Sequence, residues 1–311
     1  MSVLDGREQA LRRLELSVTR KLEGYLHGDV TGLRTGPGSE PNEARPYHPG
    51  QDDVRRMDWN VTARSLEPHV RAPLAERELE AWALVDASAS MDFGTALQEK
   101  RDLAVAAVAA IGLLVDRPGN RLGVRVAVGN QLTRIPAAGG SAALRRTLRS
   151  LLAVPRRAPG EEPVTELARA IDRLNAEHRR PGLRLVVSDF LDLRQDWAGP
   201  LRRLAARHEV IAVRVVDPHE VELPEVGLLT LVDPETGRRH EVQTGRRRIR
   251  ERYAAAAAEH AERTEQAFRA AGVAHLTLRT DSDWVRDVAA FAAARRRVAA
   301  RRAPRSRELT R

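Results

Sequence analysis

Apolar runs separated by stretches of helical periodicity constrain this chain more than any other feature. The runs are Ala81 to Val85, Leu183 to Val187 and Glu209 to Val216, and Arg121 to Val128 adds a strand that alternates. Short runs of aliphatic and β-branched residues read as strands covered on both faces. Strands that alternate with helices through short links build a mainly parallel sheet, doubly wound with helices on either side. Helical stretches fall at Leu97 to Val115, Ser141 to about Leu152, Val164 to His178, Pro200 to Arg207 and Arg246 to Ala271. Val273 to Arg279 is the last strand, followed by a closing helix through Val298. Gly129-Asn130 is a hairpin signal, so Gln131 to Ile135 returns antiparallel as an edge strand. In an α/β sheet ligands gather beyond the carboxyl ends of the strands. That directs attention to Asp86 and Asp189, each directly after an expected strand.

Several classes of function are excluded or disfavoured by composition. The chain has no cysteine, which removes disulfides, thiolate metal sites and cysteine nucleophiles. The formal charge of +9 is carried almost wholly by arginine, the only lysines being Lys21 and Lys100. Positive charge is interspersed with Glu and Asp rather than gathered, and no nucleic-acid reader motif accompanies it. The runs Arg246-Arg247-Arg248 and Arg295-Arg296-Arg297 read as solvated helix ends. The N-terminus carries charges where a signal peptide needs its apolar region, and the longest apolar run, Leu103 to Val115, is too short to span a bilayer. A cytoplasmic protein, neither membrane-spanning nor bound to nucleic acid, is expected.

The chain divides into an amphipathic helix and a Gly/Pro-rich linker over residues 1–44, a charge-dense segment over 45–80, the α/β domain over 81–300, and a basic tail over 301–311. Turn residues Asp233 to Gly237 mark a β-hairpin insertion at about 226–243. The segment from Arg45 to Arg64 sets Arg55, Asp58 and Arg64 beside Tyr47 and Trp59, a composition suited to charge-assisted pairs and guanidinium stacking. It serves either as an internal salt-bridge network or as a partner-binding edge.

The loop Asp86-Ala87-Ser88-Ala89-Ser90-Met91-Asp92 sets one carboxylate and two hydroxyls at alternate positions. In extended backbone such residues point the same way, so Asp86, Ser88 and Ser90 form three oxygen donors for one hard cation. Two later loops follow in order: Thr165 at a helix start, and Asp189 ending the strand VVSDF. With these, the sequence resembles the von Willebrand factor A domain. The resemblance implies a metal-ion-dependent adhesion site. Ser88, Ser90 and Thr165 would then be hydroxyl ligands to Mg²⁺, with Mn²⁺ or Ca²⁺ as alternatives, and Asp86 and Asp189 would orient waters. Glu161 to Val164 stand where many such domains place small residues, and Thr165 would serve equally as the N-cap of its helix.

A second resemblance lies upstream. The run PYHPGQDDVRRMDWNVTAR, continuing to ERELEAWALVDASASMDFGT, VVSDFLD and VVDPHE, looks like the DUF58 family. This implies partnership with a MoxR-type AAA+ ATPase and an adaptor or co-chaperone role toward a client protein. No phosphate-binding loop G-x-x-x-x-G-K-[ST] occurs here, so the ATPase would be the partner. On this reading the protein is no enzyme. Asp92 and Asp192, in the same loops, are further candidates for partner contact. A metal-dependent hydrolase is the alternative, but it lacks a base: none of His48, His69, His178, His208, His219, His240 or His275 falls in the two strand-end loops.

Overall fold

The computed structural model describes residues 44–50, 53–65, 67–71, 78–160 and 165–302. The expected N-terminal amphipathic helix, the linker to residue 43, Gln51, Glu161 to Val164 and the tail from 303 lie outside them. The chain falls into two compact units, one within Arg34–Glu78 and a larger one from Leu79 onward.

In the small unit β1 (Ala44–Pro46) pairs antiparallel with β2 (His69–Arg71). Between them a 3-10 turn, Val54–Arg56, precedes α1 (Trp59–Ser65). Both starts are set by aspartates that take up orphan backbone donors. Asp53 accepts from the Arg55 N–H at 3.0 Å, and Asp58 from those of Asn60 at 3.1 Å and Val61 at 3.2 Å.

The larger unit is the expected doubly wound domain. In chain order its strands are β3 (Glu80–Asp86), β4 (Arg121–Val128), β5 (Gln131–Ala138), β6 (Leu183–Ser188), β7 (Glu209–Val216), the hairpin pair β8 (Leu228–Val232) and β9 (Arg239–Gln243), and β10 (Ala274–Arg279). Its helices are α2 (Lys100–Val115), α3 (Ser141–Leu152), α4 (Leu167–Glu177), α5 (Ala198–Ala205), the single turn α6 (Pro218–Val221), α7 (Arg247–Ala271) and α8 (Trp284–Arg302). Six strands form one sheet in the order β10-β7-β6-β3-β4-β5, parallel throughout except for the antiparallel edge pair β4 and β5.

Alternation along the strands builds two cores. Ala81, Ala83 and Val85 of β3 face the layer that holds Leu103, Val108, Leu144 and Val285, from α2, α3 and α8. Trp82 and Leu84 face the other layer, with Ile171, Leu174, Leu201 and Phe268 from α4, α5 and α7. Gly123 on β4 is required by this packing: a Cβ there would stand 2.5 Å from the Trp82 ring.

Element boundaries differ from the sequence reading by a few residues, and two of the differences have a clear local cause. α2 begins at Lys100 rather than Leu97, because Glu99 and Asp102 form a capping box that fixes its start. β5 runs on through Pro136 to Ala138, since an edge strand tolerates a residue without an N–H. Among the described residues no helix is long and apolar enough to cross a membrane.

Candidate functional site

β3 and β6 lie side by side at the centre of the sheet, and from them the strand order runs in opposite directions. A crevice opens beyond the carboxyl ends of such a pair. β3 ends in Asp86, and its chain turns through the 3-10 segment Ala89–Asp92; β6 ends at Ser188, directly before Asp189. The topology therefore brings together two loops about a hundred positions apart.

Asp86, Ser88, Ser90 and Asp189 are all buried. One Asp86 oxygen accepts the Ser88 N–H at 3.0 Å, and the other accepts the Ser188 hydroxyl at 2.7 Å. Ser188 in turn accepts the Phe190 N–H at 3.1 Å, so one hydroxyl locks both loops. The hydroxyls of Ser88 and Ser90 stand 3.0 Å apart. Asp189 accepts the Leu191 N–H at 3.2 Å across a Phe190 held at φ 54°, and His260 reaches the Phe190 carbonyl at 3.0 Å. Thr165 accepts the Gly129 N–H at 2.9 Å; α4 takes Glu166 as its N-cap, so the Thr165 hydroxyl holds the β4–β5 turn instead of capping the helix. Ser88, Gly129, Arg157, Thr165 and Glu235 line one small cleft with free volume of about 10 Å³, room for a single water-sized group.

The sequence reading passed over four participants: Ser188, Lys100, Glu220 and Glu235. Lys100, fully buried at the first position of α2, donates to Asp189 at 2.8 Å and also to Glu220. Burial pushes its ammonium pKa down, and Asp189 and Glu220 more than reverse this, leaving it above the ordinary value. Glu220 belongs to the VVDPHE motif, where Asp217 caps α6 and also accepts from Thr95 and Thr280. Glu235, at the tip of the β8–β9 hairpin, lies against the N–H and hydroxyl of Ser90.

These contacts divide the two central carboxylates. Burial and the neighbouring Asp189 push Asp86 up to about 6, against the opposing bonds from Ser188 and Ser88. Asp189 is held below the ordinary range: burial alone would raise it, but Lys100, Ser90 and Leu191 outweigh that. Asp189 links these groups: it shares the buried Lys100 with Glu220, and its charge acts on both Asp86 and Glu235.

The donor set fits a small hard cation. Mg²⁺ bonds oxygen at about 2.1 Å in octahedral geometry, so adjacent ligands lie about 3.0 Å apart. The Ser88 and Ser90 hydroxyls already have that spacing. Among the described residues no three His, Asp or Glu side chains converge as a metal cluster, and the donors on offer are hydroxyls backed by carboxylates.

The other sequence candidates have local roles. Asp92 binds Arg101 at 2.5 Å and the Arg157 N–H at 2.8 Å, tying its loop to the loop after α3. Asp192 accepts from the N–H groups of Arg194 at 3.0 Å and Asp196 at 3.2 Å within its own turn. Arg55, Trp59 and Arg64 are exposed on the small unit, and Asp58 caps α1 there. In the basic runs, Arg247 pairs with Glu251 at 2.7 Å and Arg295 pairs with Glu209.

Residues 43–263 match the family described as "Protein of unknown function DUF58". The chain belongs to this family. It is similar to proteins of mycobacteria. Rv1480 of Mycobacterium tuberculosis is 51% identical over 288 residues, covering 93% of this chain and 89% of the relative. MAV169 of Mycobacterium avium is 42% identical over 166 residues, 53% of this chain and 96% of that protein. Among solved structures, BatB from Bacteroides thetaiotaomicron aligns with a TM-score of 0.44 and 12% identity, over 70% of this chain and 99% of that one. The SpRpn10 VWA domain aligns at 0.37 and 9%, over 68% and 93%.

Proposed function

We propose that this DUF58 protein is a non-catalytic, metal-dependent protein-interaction module. Its Ser88, Ser90 and Thr165 hydroxyls would hold Mg²⁺, with Asp86 and Asp189 orienting retained waters. The observation that carries the reading is the buried hydroxyl pair, 3.0 Å apart, set between two carboxylates at the point where strand order reverses. With neutral hydroxyls nearest, the bound ion keeps its electrophilic character and offers a position to a carboxylate from a partner.

The protein's own residues do the positioning. Ser188 fixes Asp86, Lys100 fixes Asp189, and Gly129 fixes Thr165. His260 has one ring nitrogen on the Phe190 carbonyl, where it orients backbone rather than serving as a base. The family resemblance adds the class of partner, a MoxR-type AAA+ ATPase, for which this chain would act as adaptor toward a client.

Calorimetric titration with Mg²⁺ tests the site. Wild type should bind one ion, and Asp86→Ala and Ser88→Ala should lose it while retaining the far-UV spectrum of the fold. Affinity capture from the native cell, with and without chelator, then tests the partnership: a AAA+ ATPase should be recovered by wild type with metal and not by Asp86→Ala. Undiminished Mg²⁺ binding by Asp86→Ala, or equal recovery with chelator, refutes the reading.

A further inference from the structure

The hairpin of β8 and β9 interrupts the strand and helix alternation, and neither its sheet pairing nor the cores explain its presence. Its tip is nevertheless built with care. Asp233 accepts the Glu235 N–H at 3.0 Å and the Thr236 hydroxyl at 2.5 Å, while Gly237 donates to the Asp233 carbonyl at 2.8 Å. The turn is also docked: Gly160 donates to the Pro234 carbonyl at 3.0 Å. Gly160 and Gly237 both have positive φ, 75° and 68°, and a Cβ on Gly237 would stand 3.1 Å from the Pro159 carbonyl oxygen. Two glycines therefore let the two backbones meet, and the meeting sets Glu235 in the wall of the cleft shared with Ser88 and Thr165.

Resting on the metal-site reading above, we infer that Glu235 is an internal ligand, a carboxylate carried by the hairpin to the coordination position at which a partner's acidic side chain would bind. Three features support it. The side chain is half-buried although it sits on a turn, where glutamate is ordinarily solvated. It faces Ser90, one of the two hydroxyls spaced for a cation. Finally, its carboxylate lies within reach of the charge on Asp189. Two carboxylates within reach of each other's charge favour a cation beside them, and Glu235 brings its charge to the cleft that Ser88 and Thr165 line. A partner's carboxylate would have to displace Glu235, so the hairpin sets the threshold for capture. The occupant this surface favours is an acidic side chain, because that is what the hairpin itself presents.

Mn²⁺ serves as the probe, since its affinity is read by electron paramagnetic resonance and its inner-sphere waters by proton relaxation. Glu235→Gln keeps the shape of the turn, and Glu235→Ala removes the ligand. The variants should bind Mn²⁺ at least about tenfold more weakly than wild type, the scale on which changes around a metal act. Bound Mn²⁺ should gain about one water, because an octahedral site refills a lost position. Acetate should displace that water from the variants and leave wild type unchanged. If the variants match wild type in affinity and hydration while Asp86→Ala abolishes binding, the metal site stands and Glu235 is not its ligand. If wild type binds no Mn²⁺, the metal-site reading fails and this inference fails with it.

Discussion

Lys100→Met separates the structural role of the buried lysine from its electrostatic one. In wild type the ammonium is fully buried between Asp189, whose side chain is 6% exposed, and Glu220, at 18%. The substitution preserves most of the aliphatic volume and removes the charge, leaving two carboxylates facing each other. Removing one partner of a buried pair costs about 3–5 kcal/mol, and the partial exposure of Glu220 places this case toward the lower end. In a domain of this size each kcal/mol moves the melting temperature by about 2–4 °C, so the metal-free variant should melt roughly 6–15 °C below wild type. Metal binding should move the other way. The ammonium contributes positive charge to Asp189, and without it a divalent ion meets a more negative site. A tenfold tighter Kd adds about 1.4 kcal/mol of stabilisation at a fixed excess of Mg²⁺. Differential scanning calorimetry in chelator and in Mg²⁺ reads both effects, and Lys100→Met/Glu220→Gln should recover part of the loss by removing one uncompensated carboxylate. A variant that melts within about 2 °C of wild type in chelator, or gains less from Mg²⁺ than wild type does, refutes this account.

Three further outcomes follow from the same contacts. Asp86 is pushed up to about 6, so Mg²⁺ must expel a proton below that pH; affinity should hold above pH 7 and weaken as pH falls through 6, and calorimetry in buffers of different ionisation enthalpy should detect the released proton. His208 is buried, with both ring nitrogens unpartnered, and burial together with Arg184 and Arg207 lowers it to about 4. The unfolded chain takes up that proton below 6.5 and the folded chain does not until about 4. Wild type should therefore lose up to about 3 kcal/mol as pH falls across this window, and His208→Phe should lose measurably less in chemical denaturation. Gly123→Ala should destabilise by about 1–3 kcal/mol in urea melts, because the added methyl meets the Trp82 ring at 2.5 Å and that ring is fully buried; a neutral result would mean β4 shifts to accommodate it.

Local patterns were legible in the sequence, and long-range identities were not. The alternation of Ala81, Ala83 and Val85 with Trp82 and Leu84 assigns both faces of β3 without any structure, because a period of two leaves each side chain only one side. Asp86, Ser88 and Ser90 are legible because they fall within five positions at one strand end, although Ser90 lies in the 3-10 turn Ala89–Asp92 and not in the extended backbone that their alternation suggested. Lys100, Glu220 and Glu235 reach the site from separate elements, and each is an ordinary residue in its own neighbourhood: a helix start, a capping box and a turn tip. Yet two of the three left a trace. Lys100 is one of two lysines among 52 basic residues, in a chain that otherwise uses arginine. A compact ammonium fits between two buried carboxylates where a planar guanidinium fork would not, so the exception to the chain's habit marks a position where size is constrained. Glu235 sits between Gly160, distant in sequence, and Gly237, two positions on, and Gly160 is no part of the hairpin. Their positive φ angles and the backbone contact between them explain why a surface turn is pinned beside the cleft. A turn held down at such conformational cost is a turn whose tip residue matters, and here that residue is a carboxylate facing the hydroxyl of Ser90.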